Sequence, residues 1–208
     1  MPITGKSISR FLPHCALAVT ALLSLSANCF CLEDQFGIGL DGRPIPTLAG
    51  PGTRIVVLVF AASDCPISNR YVPEIARLSS EFAGSDPARP TVRIWWVFPN
   101  PSDTAPVVAQ HNRDFSIHED TLLDPHQALV ARAHATITPE AAVFVVKGDG
   151  LDEVYHGRID DRYITLGQER PQAGHHDLED AIRAALAGKP VPQPSGPPVG
   201  CSVVFLER

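Results

Sequence analysis

Three stretches of the chain are apolar at almost every position. They are Arg54 to Ala61 (RIVVLVFA), Thr91 to Phe98 (TVRIWWVF) and Ala142 to Val146 (AVFVV). Runs this short, rich in β-branched and aromatic residues, predict strands buried on both faces of a sheet. Between the first two, Tyr71, Val72, Ile75, Leu78 and Phe82 recur at helical spacing and predict a helix over 68–82, with Pro73 expected to kink it. After the second strand, Pro99-Asn100-Pro101 is a stop, and Ser102 or Asp103 is placed to cap a helix running to about Phe115. Leu122-Leu123 precede Asp124-Pro125, which opens another helix to about His134. Asp149-Gly150 predicts a hairpin turn that pairs the third strand with Glu153 to Gly157. Asp177 to Leu186 reads as a short amphipathic helix closed by Gly188. Leu32 to Leu48 is an irregular lead-in with room for a short hairpin. Parallel strands come first and an antiparallel pair last, which is an α/β sandwich on a mixed sheet.

The two ends of the chain have a different texture. Met1 to Arg10 carries Lys6 and Arg10 and no acid; the apolar run Cys15 to Leu25 and the small residues Ser24, Ser26 and Ala27 follow. This is the layout of a secretory signal peptide ending near residue 31, and its apolar run is too short to span a bilayer as a helix. Residues 32–188 then form one domain. Residues 189–208 form a Pro-rich extension, with five prolines between Lys189 and Gly200. The 17 basic and 23 acidic residues give a net charge of −6, and removal of Lys6 and Arg10 takes it to −8. An acidic exported chain with no basic run is not expected to bind nucleic acid or to stay integral to a membrane after cleavage.

Of five cysteines, Cys15, Cys29 and Cys31 fall in the leader or its cleavage zone, leaving Cys65 and Cys201. An oxidising compartment lets a disulfide persist. No C-x-x-C pair is present, which excludes a structural zinc site of two such pairs, and the leading reading calls for no metal or cofactor. Cys65 directly follows the first strand, in Ala62-Ser63-Asp64-Cys65-Pro66, at the head of the next helix. That edge of an open α/β sheet collects reactive groups, and free backbone N–H groups there favour a thiolate. Asp64 opposes the thiolate, and Arg70 is the residue placed to compensate. Trp95 and Trp96 are expected on opposite faces of their strand, and Asp160-Asp161-Arg162 in a solvated turn.

A strand, then Cys65-Pro66-Ile67-Ser68, then a helix resembles the active site of the thioredoxin superfamily. More closely, Asp64 to Tyr71 with Pro73-Glu74 is similar to exported redoxin-like proteins related to alkyl hydroperoxide reductase and thiol-specific antioxidant. Asp34-Gln35-Phe36-Gly37, Thr138-Pro139-Glu140, Tyr155 to Asp161 and Pro198-Val199-Gly200-Cys201 resemble further signatures of that group, over roughly Leu32 to Cys201. The resemblance implies a thioredoxin-like fold with Cys65 as nucleophile. Pro66, Ser68 and Arg70 would support it from its own loop, with Thr138 and a cis Pro139 beside it. It implies protein thiols, protein disulfides or small peroxides as partners. The sequence departs from the relatives at Ser68, where a thioredoxin has its second cysteine. It departs again at Leu58 and Ala62, where peroxiredoxins carry Pro and Thr.

Three roles stay open for Cys201. It is a resolving thiol for Cys65, the partner in a structural disulfide, or a residue that never meets Cys65. The leading expectation is an extracytoplasmic thiol oxidoreductase, working by thiol–disulfide exchange or with peroxide as an antioxidant. The competing class is a non-catalytic binding module. In that case a histidine with the cysteines would suit copper, although exported copper chaperones of this fold carry both cysteines in one loop.

Overall fold

The structure is a computed structural model that describes residues 1–2, 36–86 and 88–206. The chain parts into two units, Met1–Cys31 and Leu32–Arg208. The expected leader, with Cys15, Cys29 and Cys31, lies outside the described residues apart from Met1 and Pro2, as do Asp34 and Gln35. No helix of the described residues is long and apolar enough to cross a membrane.

The second unit is built, in chain order, from β1 (Ile38–Gly39), β2 (Ile55–Phe60), α1 (Pro66–Arg70), α2 (Val72–Phe82), β3 (Val92–Phe98) and α3 (Ala105–Phe115). There follow β4 (Asp120–Leu123), α4 (Ala128–Arg132), β5 (Ile137–Thr138), β6 (Glu140–Lys147) and β7 (Gly150–Gly157). The last elements are β8 (Tyr163–Thr165), β9 (Gln168–Glu169), α5 (Asp177–Leu186) and β10 (Cys201–Ser202). Six strands form the main sheet in the order β1-β4-β3-β2-β6-β7. β2 runs parallel to β3 and β3 to β4, whereas β6 and β7 run antiparallel. Helices flank this mixed sheet, and the fold is thioredoxin-like.

Alternation along β2 explains its unbroken apolar run. Ile55, Val57 and Val59 enter the core shared with α2 and α5, while Val56, Leu58 and Phe60 enter a second core shared with α4. Trp96 lies in the first core and Trp95 in the second, as the period of two requires. Ile75 and Leu78 of α2 are fully buried, each worth roughly 1.5–3 kcal/mol of transfer free energy.

The helix expected over 68–82 starts earlier and breaks once. Pro66 opens α1 at its first turn, where its missing N–H costs nothing, and Tyr71 separates α1 from α2, with Pro73 again in a first turn. Thr104, not Ser102 or Asp103, precedes α3 as its N-cap residue. The Asp124 carboxylate accepts from the backbone N–H groups of Ala128, Leu129 and Val130, and so caps α4. The lead-in does contain a hairpin, with Gly39 N–H donating to Arg43 and Ile45 N–H to Gly37. The small β8–β9 ribbon was not expected from the sequence, because neither strand carries an alternating apolar pattern.

Candidate functional site

Cys65 is the N-cap residue of α1, placed there because β2 ends at Phe60 and Pro66 commits the chain to a helix. It is 1% exposed. Its thiol donates to the carbonyl of Thr138 at 3.2 Å, across the sheet edge. Thr138 is fully buried, and the Thr138–Pro139 peptide is cis. The strand just before it, β5 (Ile137–Thr138), pairs antiparallel with β10, so that Cys201 lies opposite Thr138 and Ser202 opposite Ile137. The hydroxyl of Thr138 donates to the Cys201 carbonyl at 3.3 Å. Pairing on this register brings the Cys201 sulfur to 2.8 Å from that of Cys65, across 136 residues of sequence. Both are free thiols, separated by somewhat more than the length of a disulfide of about 2.05 Å.

Gly200 makes that approach possible. A Cβ at this position would stand 2.1 Å from the Thr138 carbonyl oxygen and 2.9 Å from the Ile137 side chain. No larger residue fits without moving the strand.

The two thiols are electrically unlike. Burial acts to raise the Cys65 pKa. Hydrogen bonds from the Cys201 thiol, from the Ser68 N–H and hydroxyl and from the Cys201 backbone outweigh it, and the group lies below its ordinary 9.0. Ser68 Oγ is itself buried and has no hydrogen-bond partner while Cys65 is a thiol, so it is free to donate once a thiolate forms. Cys201 is pushed up to about 12, by burial first, then by its contact with Cys65 and the negative charge of Asp64. The two acidities therefore shift in opposite directions, Cys65 below its ordinary value and Cys201 above it.

Of the residues expected at the site, Cys65, Cys201, Ser68, Thr138 and Pro139 converge, with Pro66 fixing the turn. Arg70 does not join them. Its guanidinium turns away to Glu169 at 3.1 Å on the surface, because the short α1 points it toward β9 rather than back over the sulfur. Hydrogen bonds, not a cation, offset burial at Cys65, and the charge of Asp64 acts on Cys201 instead.

Several neighbours of the site carry no local sequence signal. Asp103 reaches back from the head of α3 and accepts from both the N–H (3.1 Å) and the hydroxyl (2.5 Å) of Ser63, which tethers the Cys65 loop. Burial raises its pKa, against the two donations from Ser63. His111, its pKa lowered by burial, lies 2.7 Å from Asn69 on the same loop. Glu140 is 1% exposed and accepts from the N–H groups of Thr136 and Ile137, which shapes the strand that carries Thr138.

Asp160 and Asp161 are buried rather than in a solvated turn. Tyr71 donates to Asp160 at 2.5 Å, and Asp161 gathers the N–H groups of Gly174 and His175. Arg158 pairs with Asp177 at 2.8 Å, not with either of them. Among the described residues the cysteines have no third metal ligand beside them. The cluster that has three, Glu74, His176 and Glu179, is spanned by Arg77, which pairs with both glutamates.

A thiol at the head of a helix, faced by a cis-proline segment on a mixed sheet, is the arrangement of a thioredoxin-like fold. No family model matches the chain, and no curated protein is similar to it. Among solved structures, an uncharacterized conserved protein from Geobacillus kaustophilus superposes with a TM-score of 0.66 at 23% identity, over 84% of this chain and 90% of that one. A hypothetical protein from Sinorhizobium meliloti 1021 gives 0.66 at 21% identity, over 82% and 90%. A secreted disulfide oxidoreductase from Mycobacterium tuberculosis overlaps 73% of this chain and 93% of its own at 16% identity, with a TM-score of 0.45. At these identities the likeness to the first two is one of fold.

Proposed function

We propose that this protein is an exported thiol–disulfide oxidoreductase whose redox pair is Cys65 and Cys201. The observation that carries the reading is the 2.8 Å approach of the two sulfurs, with opposite shifts in acidity. The Cys65 thiolate attacks one sulfur of a substrate disulfide, forms a mixed disulfide and releases the other substrate sulfur as a thiolate. Cys201 then gives up its proton to that leaving thiolate or to water and attacks the Cys65 sulfur. The second substrate thiol leaves, and the Cys65–Cys201 disulfide remains. The substrate has gained two electrons and the protein has lost two; run in reverse, the same steps oxidise a dithiol.

The missing second cysteine of the loop is thereby supplied from the C-terminal extension, and Ser68 keeps the loop position as a hydroxyl donor. Export rests on the leader-like residues 1–31. Peroxide enters only through the resemblance: position 62 is a buried alanine and offers no hydroxyl to a bound peroxide.

Mature protein equilibrated in glutathione buffers and then quenched and mapped tests the reading. A Cys65–Cys201 disulfide that forms and reverses with the buffer supports it. Two thiols that stay reduced across the series return the chain to a binding module. Disulfide formation by hydrogen peroxide at catalytic speed, with sluggish exchange, would favour the peroxidatic branch.

A further inference from the structure

The segment that carries Cys201 is fastened almost wholly by its backbone. Beyond the β5 pairing, Val203 N–H donates to Thr136 O at 2.9 Å and Val204 N–H to the side-chain oxygen of Asn100 at 2.9 Å. Gln127 grips twice: its amide N–H donates to Val204 O at 2.7 Å and its amide oxygen accepts from Leu206 N–H at 3.1 Å. The same amide also donates to Pro99 O at 3.3 Å, tying the grip to the end of β3. Asn100 and Gln127 are each 8% exposed. Gln127 holds a left-handed backbone, φ 55°, uncommon for a residue with a side chain. Val203 is buried, whereas Val204, Phe205 and Leu206 are exposed, and Phe205 and Leu206 line a cleft of about 730 Å³ along α4. Besides the β5 pairing and the Thr136 carbonyl, the arm is therefore held by two buried amides and by the apolar Val203 and Val199, with open space between its end and α4. Beneath it, the proposed nucleophile is 1% exposed and out of reach of any protein disulfide.

We propose that Asn100 and Gln127 are positioning residues that latch the Cys201 arm over Cys65. Latched, the arm holds the resolving thiol 2.8 Å from the Cys65 sulfur and shields the nucleophile. Released, it uncovers Cys65 for the first attack, and its return delivers Cys201 for the second. The proposal rests on the Cys65–Cys201 exchange reading and adds the device that times it. The latch takes no part in electron transfer. The disulfide substrate supplies the oxidant as above, and each thiol proton leaves with a departing thiolate or to water.

The latch makes two readouts move in opposite directions. In Gln127→Ala the equilibrium constant for the Cys65–Cys201 disulfide against glutathione should fall about tenfold, from the loss of two hydrogen bonds that raise the local concentration of Cys201. Alkylation of reduced Cys65 by iodoacetamide should accelerate by a similar factor, because its cover opens more often. Asn100→Ala should show both changes to a smaller degree. Asn100→Asp, which keeps the acceptor for Val204 N–H, should restore the disulfide constant. Phe205→Ala removes an outward side chain and should change neither. Melting curves of each reduced variant identify any that do not fold, and Asn100→Ala is then the deciding variant. If the wild-type disulfide forms but both alanine variants match wild type in the two readouts, the latch is overturned and the exchange reading stands. If the wild-type disulfide does not form, the exchange reading itself fails.

Discussion

The two sulfurs that meet at the site are held by opposite means. Cys65 sits where a fully buried strand hands over to a helix, and its loop is tied down by Ser63–Asp103 and Asn69–His111. Its position is a consequence of the core. Cys201 sits on a strand of two residues at the end of a proline-rich tail, placed by Thr138, Thr136, Asn100 and Gln127 through backbone hydrogen bonds, with Val203 as anchor. Each such bond contributes only about 1 kcal/mol net. The contrast suits a division of labour: a fixed nucleophile needs a preorganised environment, while a resolving thiol has to leave and return. Thioredoxins put both sulfurs on one loop; here the second lies on a separate C-terminal segment, which the proposed latch would release and recapture.

Removing the fixed half should have the greatest consequence. Cys65→Ser is expected to reduce disulfide exchange with a model peptide disulfide to the background of buffer alone, while circular dichroism stays native. Gly200→Ala attacks the Cys201 half through sterics, because its Cβ has no space against Thr138. Overpacking of this kind costs about 1–3 kcal/mol, so the Cys65–Cys201 disulfide constant should drop roughly ten- to a hundredfold. Cys201→Ser should leave the first attack intact and accumulate the Cys65 mixed disulfide, which intact-mass spectrometry detects.

A subtler test titrates the asymmetry. In reduced protein, the rate of Cys65 alkylation against pH should reach half its plateau below 9.0, since the hydrogen bonds to the sulfur outweigh burial. Ser68→Ala removes one of the bonds that lower the value, so the midpoint should move up. Cys201, pushed up to about 12, should stay largely unmodified through the same range. The smallest effect is expected at Arg70. Arg70→Ala loses an exposed pair with Glu169 and should leave the Cys65 midpoint where it was.

The contrast between the two halves also marks what the sequence could reveal. Cys65 was legible because its placement is local: an apolar run, a cysteine, then a proline in a first turn. The same holds for β2, β3, the β6–β7 hairpin and α5, each written in contiguous periodicity and turn residues. Cys201 was legible only as one of three alternatives, since its approach to Cys65 depends on a pairing across 136 residues. Asp103 read as a cap because a short polar residue before a helix normally is one, yet its carboxylate turns to Ser63. Asp160 and Asp161 read as solvated because aspartate usually is, yet each is buried against donors from elsewhere in the chain. Asn100 and Gln127 carried no signal, because their partners are the backbone of a distant tail.

The central claim is that Cys65 and Cys201 form one reversible redox pair. It is tested most directly by peptide mapping of mature protein, equilibrated across a glutathione series and quenched by acid alkylation. The expected result is a single Cys65–Cys201 cross-link that rises and falls with the buffer. Cys65 found reduced, or bound only to glutathione, across the whole series would contradict it.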